Sequence, residues 1–202
     1  MKRIACIVEG HGEVQAVPVL LRRVAAYLGC DTHLEISQPY RGKRNLLVKE
    51  GELERIIELM ANKTAPDGAL LVLLDADDDC PAQLGPALLR RAQAVRGDRA
   101  MAVVLAHREY ESWFAAAAVS LRGKRGMPAD LEPPVDPDRV GKGFIAGRMA
   151  DSYSETIDQP ALTAMFDIDA ARRSDSFDKL IRDVARLLEV PFPGSSNEDE
   201  DE

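Results

Sequence analysis

Two short acidic segments carry the residues of this chain whose types and spacing are best suited to chemistry. The first is Val8-Glu9-Gly10-His11-Gly12-Glu13, and the second is Leu74-Asp75-Ala76-Asp77-Asp78-Asp79. Each follows a short apolar run, residues 3–8 and residues 69–74, whose length and composition indicate a buried parallel strand. Both acidic segments are therefore predicted to lie at the carboxyl ends of strands.

Crowded carboxylates at the ends of neighbouring strands need a cation. In an open α/β sheet these strand ends form the crevice where ligands bind. Because like charges repel, a compensating positive charge is required, and hard oxygen ligands favour Mg²⁺ or Mn²⁺ over Zn²⁺. The two segments together predict a divalent-metal site. A solvated loop with a helix cap is the alternative interpretation of Asp75 to Asp79, because aspartate is common in both.

A third acidic group is predicted to reach the same edge of the sheet. Residues 101–106 form another short apolar run, which is followed by His107-Arg108-Glu109-Tyr110-Glu111. We expect Glu111 to lie near the metal site, with Glu109 as the alternative.

The spacing of apolar residues along the first part of the chain predicts an α/β fold. Helical periodicity alternates with strand-like runs, with helices predicted at 13–28, 52–61 and 82–95 and an additional strand at 33–37. Residues 39–45 are predicted to be a basic loop. This β-α-β order calls for right-handed crossovers and a mainly parallel central sheet flanked by helices.

The amino-acid composition changes at residue 122. Residues 122–143 are rich in proline, glycine and charge, which indicates a loop over the body. Helical patterns resume at 140–150, 158–166 and 176–189. We therefore predict an α/β core at 1–120, a loop and C-terminal helical extension packing on it at 121–190, and a disordered acidic tail at 191–202.

The net charge of −8 does not by itself identify a partner. Five of these negative charges belong to residues 198–202, which leaves −3 for the rest of the chain. Short basic clusters can contact phosphate, although solvated faces are the commoner explanation. These clusters are Arg41, Lys43 and Arg44; Arg122, Lys124 and Arg125; and Arg172 and Arg173.

The cellular compartment predicted from composition is the cytoplasm. No apolar run approaches the ~20 residues of a membrane helix, and no signal-peptide pattern precedes the first strand. Three cysteines without a CxxC pair indicate neither a disulfide framework nor a cysteine zinc site.

The order of strand, Glu-Gly-x-x-Glu, helix and strand ending in Asp-x-Asp resembles the Toprim domain of primases, topoisomerases and OLD-type nucleases. Three further segments are similar to a bacterial Toprim-like family of unknown function, of the DUF 4276 type. They are Tyr110-Glu111-Ser112-Trp113-Phe114, Tyr153 with residues 159–169, and Ala171-Arg172-Arg173-Ser174-Asp175-Ser176-Phe177. The resemblance covers residues 1 to about 190 and implies a Toprim-like Rossmannoid fold.

The resemblance implies roles for the acidic residues. Glu9 would act as a general acid or base or as a metal ligand, and Asp75 and Asp77 would hold Mg²⁺ directly or through water. Candidates for a second metal are Glu13, Asp79 and Glu111. One or two Mg²⁺ or Mn²⁺ ions would then assist an in-line displacement at phosphorus. Because further aspartates follow Asp77, the choice of metal ligands among residues 75–79 stays open.

A positive charge should stabilise the phosphate during its transfer. Lys142, in Gly141-Lys142-Gly143, is a catalytic candidate for this role, and Arg172 and Arg173 are candidates for substrate binding. The two arginines could equally bind helix carboxyl ends or the acidic edge of the sheet.

The leading functional hypothesis is a metal-dependent nuclease acting on DNA or RNA. From the resemblance we expect a partner ATPase and a role in defence against foreign nucleic acid. The chain has no Walker motif, so any use of ATP would come from another chain. The chain is too small for a strand-passing topoisomerase or a complete primase. Two alternatives are a Toprim-like interaction module that is silent without its partner, and a phosphotransfer enzyme acting on small nucleotides. The sequence leaves the oligomeric state open, a homodimer included.

Overall fold

A parallel sheet forms the centre of residues 1–192, which are the part of the chain that the computed structural model describes. Its five strands are β1 (Lys2–Val8), β2 (Leu34–Ile36), β3 (Tyr40–Arg41), β4 (Ala69–Asp75) and β5 (Met101–Ala106). The order is β2-β1-β4-β5, and β3 pairs with the carboxyl end of β1. All of these pairings are parallel, which confirms the predicted α/β class.

The register of the sheet aligns the strand ends that carry the acidic residues. Val8 lies opposite Leu73 of β4, and Asp75 lies opposite Ala106 of β5. Glu9 directly follows β1, and Asp75 is the last residue of β4. Because parallel strands present their carboxyl ends at one edge, these residues share a single crevice.

Nine helices accompany the sheet within residues 1–192. They are α1 (Glu13–Tyr27), α2 (Arg44–Leu47), α3 (Glu52–Lys63), α4 (Pro81–Val95), α5 (Ser112–Ala116), α6 (Lys142–Ala146), α7 (Glu155–Thr163), α8 (Ile168–Ala171) and α9 (Asp175–Leu188). Two short 3-10 helices occupy Ala118–Leu121 and Pro137–Arg139. Within the described part of the chain, no helix has the length and apolar character needed to cross a membrane.

The long predicted helices are confirmed, and the differences lie in short elements. β3 and the start of α2 occupy residues 39–45, which were predicted to be a loop. The helix predicted at 140–150 is limited to α6, and the helix predicted at 158–166 begins earlier, at Glu155. Of the acidic tail predicted at 191–202, residues 193–202 lie outside the described residues.

Two hydrophobic layers sandwich the sheet, because alternate residues of each strand face opposite sides. Along β1, Ala5 and Ile7 join the layer of α3 and α4, whereas Ile4, Cys6 and Val8 join the layer of α1, α5, α7 and α9. Helices of the C-terminal extension therefore supply part of the main core.

Aromatic rings fill the second layer beneath the ends of the strands. Neighbouring ring centroids lie between 4.7 and 5.8 Å apart in a chain formed by Tyr110, Trp113, Phe114, Phe166 and Phe177. This packing ties α5, which directly follows the acidic segment after β5, to α9 and to the loop after α7.

The buried hydroxyl of Ser176 connects this aromatic layer to the end of β5. Its Oγ accepts hydrogen bonds from Trp113 Nε1 at 2.9 Å and from the backbone amide of His107 at 3.1 Å. We expect Ser176→Ala to lower the free energy of unfolding by about 1–3 kcal/mol, because the buried indole N–H of Trp113 and the partly buried amide of His107 lose their acceptor. Urea unfolding followed by the fluorescence of Trp113, the single tryptophan, measures this change.

The exposed Ser152 provides the matched control. Ser152→Ala should change the free energy of unfolding by less than ~0.5 kcal/mol. Equal effects of the two substitutions would contradict a structural role for the Ser176 hydroxyl.

Candidate functional site

Acidic side chains from three strand ends and one C-terminal helix line a cleft of about 230 Å³ at the carboxyl edge of the sheet. We call this the carboxylate cleft. Its charged lining consists of Glu9, Glu13, Asp75, Asp77, Glu109, Glu111, Glu155 and Lys142. The structure thus brings together five of the six predicted metal ligands and leaves out Asp79.

Glu13 closes the turn between β1 and α1. Its Oε2 accepts hydrogen bonds from the backbone amides of Glu9 at 2.9 Å and Gly10 at 3.2 Å. The side chain is buried, and this burial raises the pKa of Glu13 to about 7, with the charges of Glu9 and Glu111 adding to the increase. Glu13 therefore both shapes the loop that carries Glu9 and contributes a carboxylate to the cleft.

Asp75 joins the cleft to the segment that follows β5. Its Oδ1 accepts a hydrogen bond from the backbone amide of Tyr110 at 2.8 Å. Burial raises the pKa of Asp75 well above its usual range, and the charges of Glu13, Glu111 and Glu9 raise it further. The solvated-loop interpretation of residues 75–79 therefore does not apply to Asp75, although it fits the almost fully exposed Asp78.

Glu111 is the deepest carboxylate contributed by the β5 side. It is only 3% exposed, and its Oε1 accepts hydrogen bonds from Tyr153 Oη at 2.6 Å and Gln159 Nε2 at 3.4 Å. Burial raises the pKa of Glu111, while the hydrogen bond from Tyr153 partly opposes the increase. Tyr153 and Gln159 thus fix the position of the Glu111 carboxylate, which follows β5.

A close approach at Gly12 allows α7 to reach the cleft. A Cβ atom at this position would overlap with the side-chain oxygen of Gln159 and the carbonyl of Glu155. The glycine turn after β1 therefore permits the first turn of α7 to pack directly against it, which brings Glu155 and Gln159 to the cleft.

Glu9 has an oxygen without a partner. Its side chain is half-buried, and Oε2 is enclosed with no hydrogen bond to any of residues 1–192. Burial raises the pKa of Glu9, and the charge of Asp77 adds to the increase, while Arg44 opposes it. A buried carboxylate oxygen of this kind is costly unless a cation or a proton binds it.

Arg44 organises the turn after β4. Its guanidinium donates to the carbonyl oxygens of Asp75 at 2.7 Å and Ala76 at 2.9 Å, and it forms ion pairs with Asp79 at 2.5 Å and Asp77 at 3.4 Å. Asp77 adopts a φ of +51° in this turn. The chain consequently turns Asp79 towards Arg44 and outside the cleft, whereas Asp77 stays at the rim.

Lys142 supplies positive charge at the opposite rim. Its Nζ forms an ion pair with Glu155 Oε1 at 2.6 Å, and its backbone amide donates to Glu109. The ion pair with Glu155 raises the pKa of Lys142, so this side chain remains protonated at neutral pH. Lys142 can therefore act as a cation here and not as a general base.

The structure does not bring Arg172 and Arg173 to the cleft. Arg172 donates to Asp178 at 2.7 Å and to Tyr27 at 3.1 Å, and Arg173 donates to the carbonyl of Pro134 at 3.3 Å. Arg172 thus links the C-terminal extension to α1, whereas Arg173 contacts the loop before Pro137 within the extension.

A groove of about 400 Å³ adjoins the carboxylate cleft. We call it the basic groove, and its basic lining consists of His11, Arg41, Lys43 and Arg44. Glu9, Gly10, Asp77 and Glu155 line both openings, so the two are neighbours along the sheet edge.

Several residues of the site were not predicted from the sequence. Glu155 was not singled out, because α7 shows only the apolar pattern of a helix that packs on the core. Tyr153 and Gln159 entered through the family resemblance alone, without a role. Arg44 was noted only as part of a basic cluster, although its neighbours Arg41 and Lys43 gave the signal that a basic surface lies nearby.

The donor set of the cleft fits a hard divalent cation. All of its acidic donors are carboxylate oxygens, the kind of ligand that Mg²⁺ and Mn²⁺ prefer, and Glu9 Oε2 lacks a partner. Within residues 1–192, however, no group of three or more His, Cys, Asp or Glu side chains is arranged to hold a metal ion. The metal site therefore stays a prediction.

A family model described as "Domain of unknown function (DUF4276)" matches residues 8–185, which is most of the chain. Neither the search of curated proteins nor the search of solved structures gave a match.

The raised pKa values predict that the metal-free protein loses stability as pH rises. Between about pH 4.5 and 7 the native state holds a proton on Glu13 that the unfolded state has released, so the free energy of unfolding must fall with increasing pH. Glu13 alone should account for roughly 3 kcal/mol across this interval. Chemical unfolding in EDTA at pH 5, 6, 7 and 8 measures the loss.

Glu13→Gln should flatten this dependence and stabilise the protein at pH 8. The amide oxygen can still accept from Glu9 and Gly10, while the charge is removed. Glu50→Gln, at an exposed position, should leave the profile unchanged. A wild-type free energy of unfolding that is flat or rises from pH 5 to pH 8 would contradict the proposed repulsion.

Proposed function

The chain belongs to the DUF4276 family, and we propose that it hydrolyses phosphodiester bonds of nucleic acid with the help of Mg²⁺ or Mn²⁺. The observation that carries the proposal is the convergence of Glu9, Asp75 and Asp77 in one cleft, directly beside a groove lined by cations. Clustered carboxylates can hold the metal ions that assist phosphoryl transfer, and neighbouring arginine and lysine side chains can bind phosphate.

The proposed metal ligands are Glu9, Asp75 and Asp77, with Glu13 and Glu111 in support. Bound Mg²⁺ or Mn²⁺, as one ion or two, would supply Lewis acidity to the phosphate and lower the pKa of a bound water. Glu9 is the proposed general base or acid, because it combines a raised pKa with an unpartnered oxygen at the cleft.

Lys142 is the proposed source of positive charge for the phosphate at the cleft. Its ammonium group is on the rim, and the partner Glu155 is itself half exposed, so the ion pair can open when an anion binds. Asp79, Arg172 and Arg173 have no place in the proposed chemistry, because their charges are engaged outside the cleft.

Relation to the Toprim domains of OLD-type nucleases would account for the order of acidic residues along the chain. An ATPase partner, a role in defence against foreign nucleic acid, and a cytoplasmic location are proposals that rest on this resemblance and on composition.

A second candidate is a Toprim-like module whose chemistry requires a partner. It is favoured by the internal hydrogen bonds that occupy Glu13, Asp75 and Glu111, since these carboxylates are engaged by the fold itself. A partner that shifts α7 would release Glu111 from Tyr153 and Gln159.

Replacing Asp75 by Asn should lower metal-dependent cleavage at least ~100-fold, because the deepest strand-end ligand loses its charge. The measurement is cleavage of single- and double-stranded DNA and RNA in Mg²⁺, Mn²⁺ or EDTA. Cleavage that survives in EDTA or in Asp75→Asn would refute the proposal.

Asp79→Asn is the matched control from the same turn. Its carboxylate pairs with Arg44 outside the cleft, so we expect activity within about threefold of wild type. An absence of cleavage in every lane, combined with Mn²⁺ binding that Asp75→Asn removes, would favour the partner-activated module.

A further inference from the structure

We propose that the basic groove positions the substrate by binding the sugar-phosphate backbone of a polynucleotide next to the bond to be cut, through Arg41 and Lys43. This inference rests on the proposed hydrolysis and names the residues that bind its polymeric substrate. The groove shares Glu9, Asp77 and Glu155 with the carboxylate cleft, but its arginines and lysine come from the segment of β3 and α2.

The parallel register of the sheet fixes Arg41 beside the cleft. β3 pairs with the end of β1 so that Arg41 lies opposite Val8, the residue before Glu9. The amide of Gly42 donates to the carbonyl of Val8 at 2.9 Å. The basic segment is therefore an extension of the sheet, with its position determined by backbone hydrogen bonds.

Buried apolar packing holds the other side of this segment. Leu47 at the end of α2 is fully buried, and a Cβ atom at Gly42 would approach its side chain to 3.1 Å. The cations on this segment are consequently presented by a pre-organised backbone, which lowers the entropic cost of binding.

Arg41 and Lys43 are free to bind an anion. Their side chains are exposed and make no hydrogen bond or ion pair within residues 1–192. Most arginines of the described chain are engaged, as illustrated by Arg91 with Glu54 and Arg125 with Asp158. Arg41 and Lys43 therefore carry positive charge, unpaired within the described residues, directly beside the carboxylate cleft.

Arg44 has a different role in the same groove. Its side chain is 13% exposed and is committed to the turn after β4 through Asp75, Ala76, Asp77 and Asp79. We assign it as a positioning residue, and we assign substrate contact to Arg41 and Lys43.

Three openings along the sheet edge share lining residues, and we call them together the trough. Asp77 lines the basic groove, the carboxylate cleft and a third recess of about 480 Å³ that also contains Arg108. A strand that follows this trough passes from Arg41 and Lys43 over the carboxylates towards the half-exposed Arg108. A mononucleotide in the cleft would be too short to contact both Arg41 and Lys43 at one end of the trough and Arg108 at the other.

The net charge of the protein is −8, and the basic groove itself contains the carboxylates of Glu9, Asp77 and Glu155 beside its cations. Nucleic-acid affinity should therefore depend strongly on the few cations in the trough. For single strands, each phosphate contact contributes about 0.7 to the slope of log affinity against log salt concentration.

The test is the binding of a fluorescent oligodeoxythymidylate of about 20 nucleotides in EDTA, between roughly 50 and 200 mM salt, measured by anisotropy. Arg41→Gln/Lys43→Gln should weaken binding at least ~10-fold at the lower salt and reduce the salt slope by about 1.4. Trp113 fluorescence confirms that the variant is folded.

Arg90→Gln/Lys124→Gln is the matched control. It removes one arginine and one lysine that are also exposed and unpaired within the described chain but lie outside the trough. Binding by this variant should stay within about twofold of wild type.

Three results would overturn the inference: no oligonucleotide binding by the wild type, equal binding by the two double variants, or competition by thymidine monophosphate as strong as that by the oligonucleotide. Failure of the proposed hydrolysis is a separate result, because binding is measured without metal. Groove-dependent binding without any cleavage would refute hydrolysis and support the groove. If Asp75→Asn abolishes cleavage but Arg41→Gln/Lys43→Gln leaves KM unchanged, the result would support hydrolysis and refute the role of the groove.

Discussion

Repulsion between buried carboxylates is the constraint on which this structure depends. Glu13, Asp75 and Glu111 share one cleft, where burial raises the pKa of each group and the charges of neighbouring carboxylates add to the increase. Such a cluster costs free energy and persists only when the surrounding structure holds it in place. The parallel register of β1, β4 and β5, with apolar layers on both faces, provides that support.

Each of these carboxylates receives a hydrogen bond from a different part of the chain. The amide of Glu9 donates to Glu13, the amide of Tyr110 donates to Asp75, and the hydroxyl of Tyr153 donates to Glu111. Among residues 1–192, Arg44 and Lys142 bring full positive charge to the rim of the cleft. The centre of the cleft therefore keeps a negative potential that favours a cation, while its border favours an anion.

The strands and their acidic ends were predictable from the sequence because they depend on local information. A short aliphatic run ending in carboxylates identifies β1 and β4, and the rule for parallel sheets brings their ends together. The separation of Asp79 from Asp75 and Asp77 was not predictable in this way. It depends on the positive φ of Asp77 and on Arg44, which arrives from a distant segment.

The contribution of α7 was hidden for a similar reason. Its approach to Gly12 is a tertiary contact between distant parts of the chain, and no periodic pattern reports such a contact. β3 has only two residues, too few to show alternation, although it determines where Arg41 lies. The meeting of the acidic strand ends follows from a general rule for parallel sheets, whereas the contacts of α7 and the position of β3 follow from no such rule.

The packing of α7 and α9 on α1 also has a consequence for biosynthesis. During translation, β1, β4 and β5 leave the ribosome before the helices that cover one of their faces. Until Phe177 and Leu180 emerge, that face lacks part of its apolar cover, and Glu111 lacks the hydroxyl of Tyr153. The nascent chain therefore exposes apolar surface next to the Glu111 carboxylate, which still lacks its hydrogen-bond donor. Transiently exposed apolar surface of this kind is prone to aggregation and is bound by chaperones.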